Sequence, residues 1–376
     1  MLKPKFVVVA ALALVVLGWL GLRRSPQPTS AQRNPPVAEE SALPTPRPQK
    51  RSLPPPGHGA LFASGEVLNT NFLERLLNGE SLPVTLEQLT TYLQANHRDA
   101  DSLLAAYQAT GERALLDEAL TNYPHDPRIA YNAWFRAPAG PDDPEATRAR
   151  RQALDVLKQA APDNALVNYL SARNYFTSGQ PELAIQEMQT GAAKPDYDDY
   201  TRDAMQSMTE AYLAAGYSEA EAKLAANTGA LLPHLAELKQ DGVRLAELAK
   251  SYQQAGNSAS AQEMLQLCQD LGQRLDDRNS TTLIQQLVGI AVQRIGLDAA
   301  AAISADPANS QAIQDRVNAL TQERQDIKAL VAGHQIETWL QTASPQDVVA
   351  FCDRERAFGE LKALQWLANR KANPNP

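Results

Sequence analysis

Cysteine is nearly absent from this sequence. Cys268 and Cys352 are the only two in 376 residues, and neither belongs to a CxxC pair. That excludes a thiolate zinc site and a dithiol redox motif. Both lie in apolar helical patterns and read as buried thiols; whether they pair is left open. Histidine is almost as scarce: His58, His97, His125, His234 and His334 form no HExxH and adjoin no cysteine. No GxSxG, P-loop or GxGxxG occurs. Convincing runs of alternating apolar and polar residues are also missing, and Ala, Leu and Gln dominate, so the composition favours helices over strands. On these grounds no catalytic residue, metal ligand or cofactor is assigned.

Charge is divided along the chain. Residues 1–60 hold eight Lys/Arg and two Glu, a net of +6; the whole chain is −8, which leaves −14 for residues 61–376. An acidic body repels phosphate backbones, so nucleic acid is not an expected partner.

Phe6 to Leu22 is a run of seventeen residues without charge, preceded by Lys3 and Lys5 and followed by Arg23 and Arg24. As a helix it would be about 25 Å long, at the short end for spanning a bilayer. A cleaved signal peptide is the competing reading. The positive charges around it slightly favour a cytoplasmic amino terminus and an exported, periplasmic-side body. Residues 25–60 carry ten prolines. Such a stretch favours extended, polyproline-like chain and would reach on the order of 100 Å. It reads as a disordered spacer, with an SH3-type ligand as the alternative. The expected domains are an anchor at 1–24, a Pro-rich linker at 25–62, a helical body at 63–279 and a helical extension at 280–376 packed on that body.

Helix starts in the body are well marked. Thr85-x-x-Gln88 and Ser218-x-x-Glu221 fit capping boxes, and Ser344-Pro345 puts a cap before an N1 proline. A tyrosine followed four residues later by glycine recurs at Tyr107/Gly111, Tyr175/Gly179, Tyr212/Gly216 and Tyr252/Gly256, at intervals of 68, 37 and 40 residues. Periods in this range mark stacked supersecondary units. The apolar stripe from Val348 to Leu367 predicts a last helix over 345–371, with most of that stripe in the core.

With Ala184 after Tyr175/Gly179 and Ala261 after Tyr252/Gly256, residues 99–270 resemble the tetratricopeptide repeat family. Glu221 departs from the small residue expected in the Tyr212 unit, and the Tyr107 unit has a short second helix. The resemblance implies an all-α, right-handed superhelical solenoid of antiparallel helix pairs. It further implies a concave groove, where Tyr169, Arg173, Phe176, Gln206, Glu210, Lys250 and Gln253 would meet a protein or peptide partner. The lysine and asparagine clamp for a peptide carboxylate is not reproduced.

The functional expectation is therefore a membrane-tethered scaffold or adaptor with protein or peptide partners. A structural or oligomerising spacer is the alternative. An exported glycan-acting enzyme is a third reading, resting on Asp196, Asp198 and Asp199, which could hold a hard cation or simply open a helix.

Overall fold

The computed structural model describes residues 68–80, 82–137, 144–230, 232–277, 280–304, 306–334 and 336–372. The expected anchor at 6–22 and the whole linker at 25–62 lie outside them. The described chain is all-helical, with no strands. Its helices are α1 (Thr70–Leu77), α2 (Leu86–Ala95), α3 (Ala100–Thr110), α4 (Arg113–Asn122), α5 (Pro127–Arg136) and α6 (Pro144–Ala160). They continue with α7 (Ala165–Thr177), α8 (Pro181–Ala193), α9 (Thr201–Ala214), α10 (Glu219–Thr228), α11 (Pro233–Gln254) and α12 (Ser258–Leu275). The chain closes with α13 (Leu283–Ile303), α14 (Pro307–His334), α15 (Ile336–Leu340), α16 (Pro345–Phe358) and α17 (Glu360–Ala372).

The starts expected from the sequence are present. Thr85 and Ser218 each complete a capping box, and the Ser344 hydroxyl accepts the Asp347 N–H ahead of Pro345. The tyrosine–glycine spacing has a local explanation. Gly179, Gly216 and Gly256 stand in the left-handed region at φ 70°, 99° and 77°. The residue after each donates its N–H back to the tyrosine carbonyl: Gln180 to Tyr175 at 3.0 Å, Tyr217 to Tyr212 at 3.1 Å and Asn257 to Tyr252 at 2.9 Å. That six-to-one bond, with glycine at the position after the cap, is the Schellman helix stop. Gly111, at φ 75°, closes α3 with a shorter loop by donating to Tyr107 at 2.7 Å. The spacing thus encodes where a helix ends. It does not encode what the ensuing hairpin packs on.

From α2 to α8 each helix packs on the next. The hairpin α11–α12 then docks on α7–α8, and α13 packs on both α11 and α12. The intervening hairpin α9–α10 does not continue this row. Instead α9 packs on α2 and α3, and α10 packs on α16. The linker into α9 shows why. Ala165 donates its N–H to Asp196 O at 2.8 Å, and the Asn164 amide reaches Asp198 O at 2.7 Å, so the connection is held against the start of α7. Consequently Tyr175 and Tyr252 border one core cluster, while Tyr212 is buried in another with Leu224, Leu340 and Val348.

The expected single helix over 345–371 is two helices. Gly359 at φ 90° ends α16, and α17 starts at the following residue. The stripe remains mostly buried: Val348, Phe351, Leu364 and Leu367 are core, while Val349, Phe358 and Leu361 are half-buried. Among the described residues α13 is long and apolar enough to cross a membrane. Here it packs between α11, α12 and α14. The α12–α13 contact is very close: a Cβ on Gly289 would lie 2.5 Å from the Asp276 nitrogen and 2.7 Å from the Gly272 oxygen. Cys268, a small and fully buried thiol, fills the next step of that seam beside Gly296.

These two uses of glycine separate experimentally. At Gly256 a side chain meets nothing within 4 Å, so only left-handed strain opposes it. Gly256→Ala should cost about 1–2 kcal/mol, most of it recovered by Gly256→Asn, because asparagine tolerates that conformation. Gly289→Ala should cost about 1–3 kcal/mol through overpacking, and Gly289→Asn should be worse. Chemical denaturation of the four variants reads both patterns.

Candidate functional site

The residues expected to line a groove do not form one surface. Tyr169 is fully buried, its ring pressed between α7 and α8 at a place where a Cβ on Gly191 would come within 2.7 Å. Glu210 is fully buried too, because α9 lies against α2 and α3: its carboxylate accepts from the Tyr92 hydroxyl at 3.0 Å and from the Gln206 amide at 2.7 Å. Both are inward-facing here, which corrects the expectation. Gln206 is also held by Arg356 of α16. Phe176 is half-buried against the core between the α7–α8 and α11–α12 hairpins. Arg173 reaches across to Asp241 of α11 at 3.6 Å. Lys250 is exposed and Gln253 half-buried. Nine residues at about 100° each put Lys250 half a turn from Asp241, so it points away from the seam that Arg173 closes. The small residues expected in the repeat packing, Ala184 of α8 and Ala261 of α12, are fully buried.

What the fold does gather is a buried polar cluster between α5, α7, α11 and the α8–α9 linker. His234, at the start of α11, has no exposed surface. Its Nδ1 lies 3.0 Å from the Tyr131 hydroxyl and its Nε2 lies 3.3 Å from Asp199 Oδ2. An imidazole with its proton on Nε2 can donate to Asp199 and accept from Tyr131. Burial works to raise Asp199, but the nearby His234 and the Thr201 donors outweigh it and hold the carboxyl below its usual range. Burial pushes the Tyr131 and Tyr197 phenols well up, with Asp199 adding to both. One step further along α11, Asp241 is fully buried, with neither carboxylate oxygen hydrogen-bonded among the described residues. Burial pushes its pKa well above the ordinary value, and Arg173 only partly offsets this. Around the rim Arg150 pairs with Glu237 at 2.5 Å and stacks on Trp134 at 4.7 Å.

Comparison with protein-family models, curated proteins and solved structures found no match. The chemistry must therefore be read from the side chains alone. Asp, His and Tyr stand in succession, but only Tyr131 and His234 are hydrogen-bonded; Asp199 Oδ2 and His234 Nε2 face each other at 3.3 Å without a bond, and both residues are buried away from solvent. The evident effect of the set is to tie the α8–α9 linker to α5 and α11. The acidic stretch Asp196–Asp199 behaves as a helix opening: Asp198 accepts the Tyr200 N–H at 2.8 Å and Asp199 the Thr201 N–H at 3.1 Å. Among the described residues no three of His, Cys, Asp and Glu converge as a metal would require. Cys268 and Cys352 are free thiols, both buried. A surface hollow of about 560 Å³ between α14 and α17 is lined by Ala319, Glu323, Asp326, Ile327, Leu330 and Leu361.

Sequence reasoning passed over His234 and Asp241 because neither sits in a motif. Their partners are 103 residues away in Tyr131 and 68 away in Arg173. The available hint was charge in the wrong place: Asp241 stands among Leu238, Gly242 and Leu245 on the apolar stripe of α11.

Asp241 has a pH signature. A carboxyl with a raised native pKa binds its proton more tightly when folded, so its stabilising share is complete at low pH. That share is lost as pH rises from about 3.9, the unfolded value, through the raised native one. Asp241→Asn removes this titration. Wild-type stability should fall relative to the variant as pH rises, as read by denaturant unfolding at a series of pH values. A constant difference would contradict the assignment.

Proposed function

We propose that this chain is a membrane-tethered helical-repeat scaffold, anchored through residues 6–22 and held off the bilayer by its Pro-rich stretch. It displays its helical body to protein or peptide partners on the extracytoplasmic side. The observation that carries the reading is the run of neighbour-on-neighbour helices, α2 to α8, extended by α11 and α12. Helix hairpins stacked in a row bury one face against each neighbour and leave a long outer surface, an arrangement suited to adaptors. The recurrent Tyr–Gly helix ends fit a tetratricopeptide-like ancestry for that row, with α9–α10 as an excursion from it.

The burial of Tyr169 and Glu210 shifts the expected contact surface to exposed Lys250 and half-buried Gln253, with Arg173 engaged at the seam with Asp241. The composition of the amino-terminal segment, with Lys3 and Lys5 before the apolar run, supports export of the body. A structural spacer remains the second reading, favoured by how much polar chemistry is spent on internal joints such as Tyr92–Glu210 and Arg356–Gln206.

The test is site-specific photocrosslinking in intact membranes, with the reactive residue placed at Arg173, Lys250 or Gln253 of the full chain. Adducts to other proteins at Lys250 or Gln253, in a body that protease reaches from outside the cytoplasm, are the expected result. Adducts only to lipid or to the chain itself at all three positions would reject the adaptor reading. A body protected from outside would reject the topology independently.

A further inference from the structure

The turn between α16 and α17 buries two acids, Glu355 and Glu360, at 8% and 6% exposure. Each carboxyl has one hydrogen-bond donor. Glu355 Oε2 accepts from the Asn227 amide of α10 at 2.8 Å, and Glu360 Oε2 accepts from the Leu283 N–H at the start of α13 at 2.8 Å. The backbone adds two ties: Glu360 N–H donates to Thr281 O at 2.9 Å, and Gly359 sits so close to Ser280 O that a Cβ would lie 2.4 Å from it. These side chains and this turn are therefore the joint between the C-terminal hairpin and both α10 and α13.

Among the described residues neither acid has an ion-pair partner, and the surrounding charges are committed elsewhere. Lys223 of α10 pairs with Glu219 at 2.7 Å and with Asp353 at 2.8 Å. Arg356 of α16 pairs with Asp353 at 2.8 Å and donates to Gln206 of α9. Arg202 of α9 donates to the Thr281 hydroxyl at 3.1 Å. Two carboxylates in one low-dielectric joint, neither of them ion-paired, cannot both ionise cheaply, although the charge of Arg356 offsets part of the effect on Glu355. Burial raises both groups, to about 8 for Glu355 and about 7 for Glu360, with the charge of Glu360 adding to the effect on Glu355. The N–H of Leu283 favours the ionised form of Glu360, which makes Glu355 the holder of the proton.

We propose that the α16–α17 hairpin is a proton-dependent latch: it closes over α10 and α13 while Glu355 and Glu360 hold a proton between them, and it opens when both carboxyls are ionised. Opening brings water to the two carboxylates. It also uncovers Cys352 and the apolar face of α10 carrying Ala220 and Leu224, which share a buried cluster with Val348 and Phe351 of α16. The raised native affinity sets the sign. The closed form binds more protons, so it is favoured at low pH and lost as pH climbs through the raised values. Once both groups ionise only in the open form, closure weakens about tenfold per pH unit for each proton released.

The chain carries its own reporters. Cys352 lies in α16 under the latch, and Cys268 lies in the α12–α13 seam, away from it. In the full-length protein, labelling by a small neutral maleimide at about pH 6 and about pH 9 is expressed as the Cys352-to-Cys268 rate ratio. Each rate is first corrected for the thiolate fraction of that site. The expected result is a rise of at least about tenfold in wild type, consistent with one proton released over the interval. In Glu355→Gln/Glu360→Gln the ratio should stay flat and low, because glutamine keeps both acceptors. A flat ratio in wild type, or an equal rise in the double variant, overturns the latch. Hydrogen exchange, corrected for intrinsic rates, supplies the second readout. Residues 345–372 should lose protection with pH in wild type while 258–275 do not, and a simultaneous loss in both segments would mean general unfolding and also reject the proposal.

Discussion

The burial of α9 constrains the rest of the molecule. This helix is covered on most of its circumference: Met205, Met208, Ala211 and Tyr212 are buried, and so are Ser207, Thr209 and Glu210. A helix enclosed in this way has to offer small side chains to its neighbours and a partner for each polar group it carries inward. Thr209 turns its hydroxyl back to Met205 O at 2.7 Å, and Glu210 is matched to Tyr92 and Gln206. Removing the phenol of Tyr92 would leave a buried carboxylate short of a donor, a larger penalty than the net worth of the bond itself.

Two bodies of helix meet on α9. Ala211 belongs to the core of α2–α4, with Leu103 and Leu116. Met208 and Tyr212 belong to the core of α1, α10 and the C-terminal helices, with Leu73 and Phe351. The contact between Gln206 and Arg356 ties the same helix to α16. The row of hairpins, the excursion and the C-terminal closure are thus mechanically connected, and the adaptor reading and the latch use different parts of one connected frame. The Asp199–His234–Tyr131 cluster secures the entry to α9 from the other end.

What the sequence disclosed follows the range of each interaction. Helix caps and stops are made within five residues, so Thr85, Ser218, Ser344 and the Tyr–Gly pairs could be read directly. The same rule at Gly359, in the run Ala357-Phe358-Gly359-Glu360, marked a stop that the periodic stripe around it obscured. The placement of α9 was not legible. Glu210 meets a tyrosine 118 residues earlier, and Gln206 meets an arginine 150 residues later. Ser207, Thr209 and Glu210 look like an outward polar face when only neighbours in the chain are considered. The assignment of Tyr169 to a groove failed for a related reason: Gly191 opens a slot on α8 that draws the ring inward, and glycine at that point carries no signal distinct from a turn.

Native-state hydrogen exchange of residues 201–214 in the full-length protein tests the enclosed position of α9 most directly. If α9 is enclosed by both halves, its amides exchange only through the global opening, together with those of α3, and share its denaturant dependence. Exchange of α9 through a smaller, separate opening while α3 stays protected would contradict the account, since it would make α9 a peripheral hairpin.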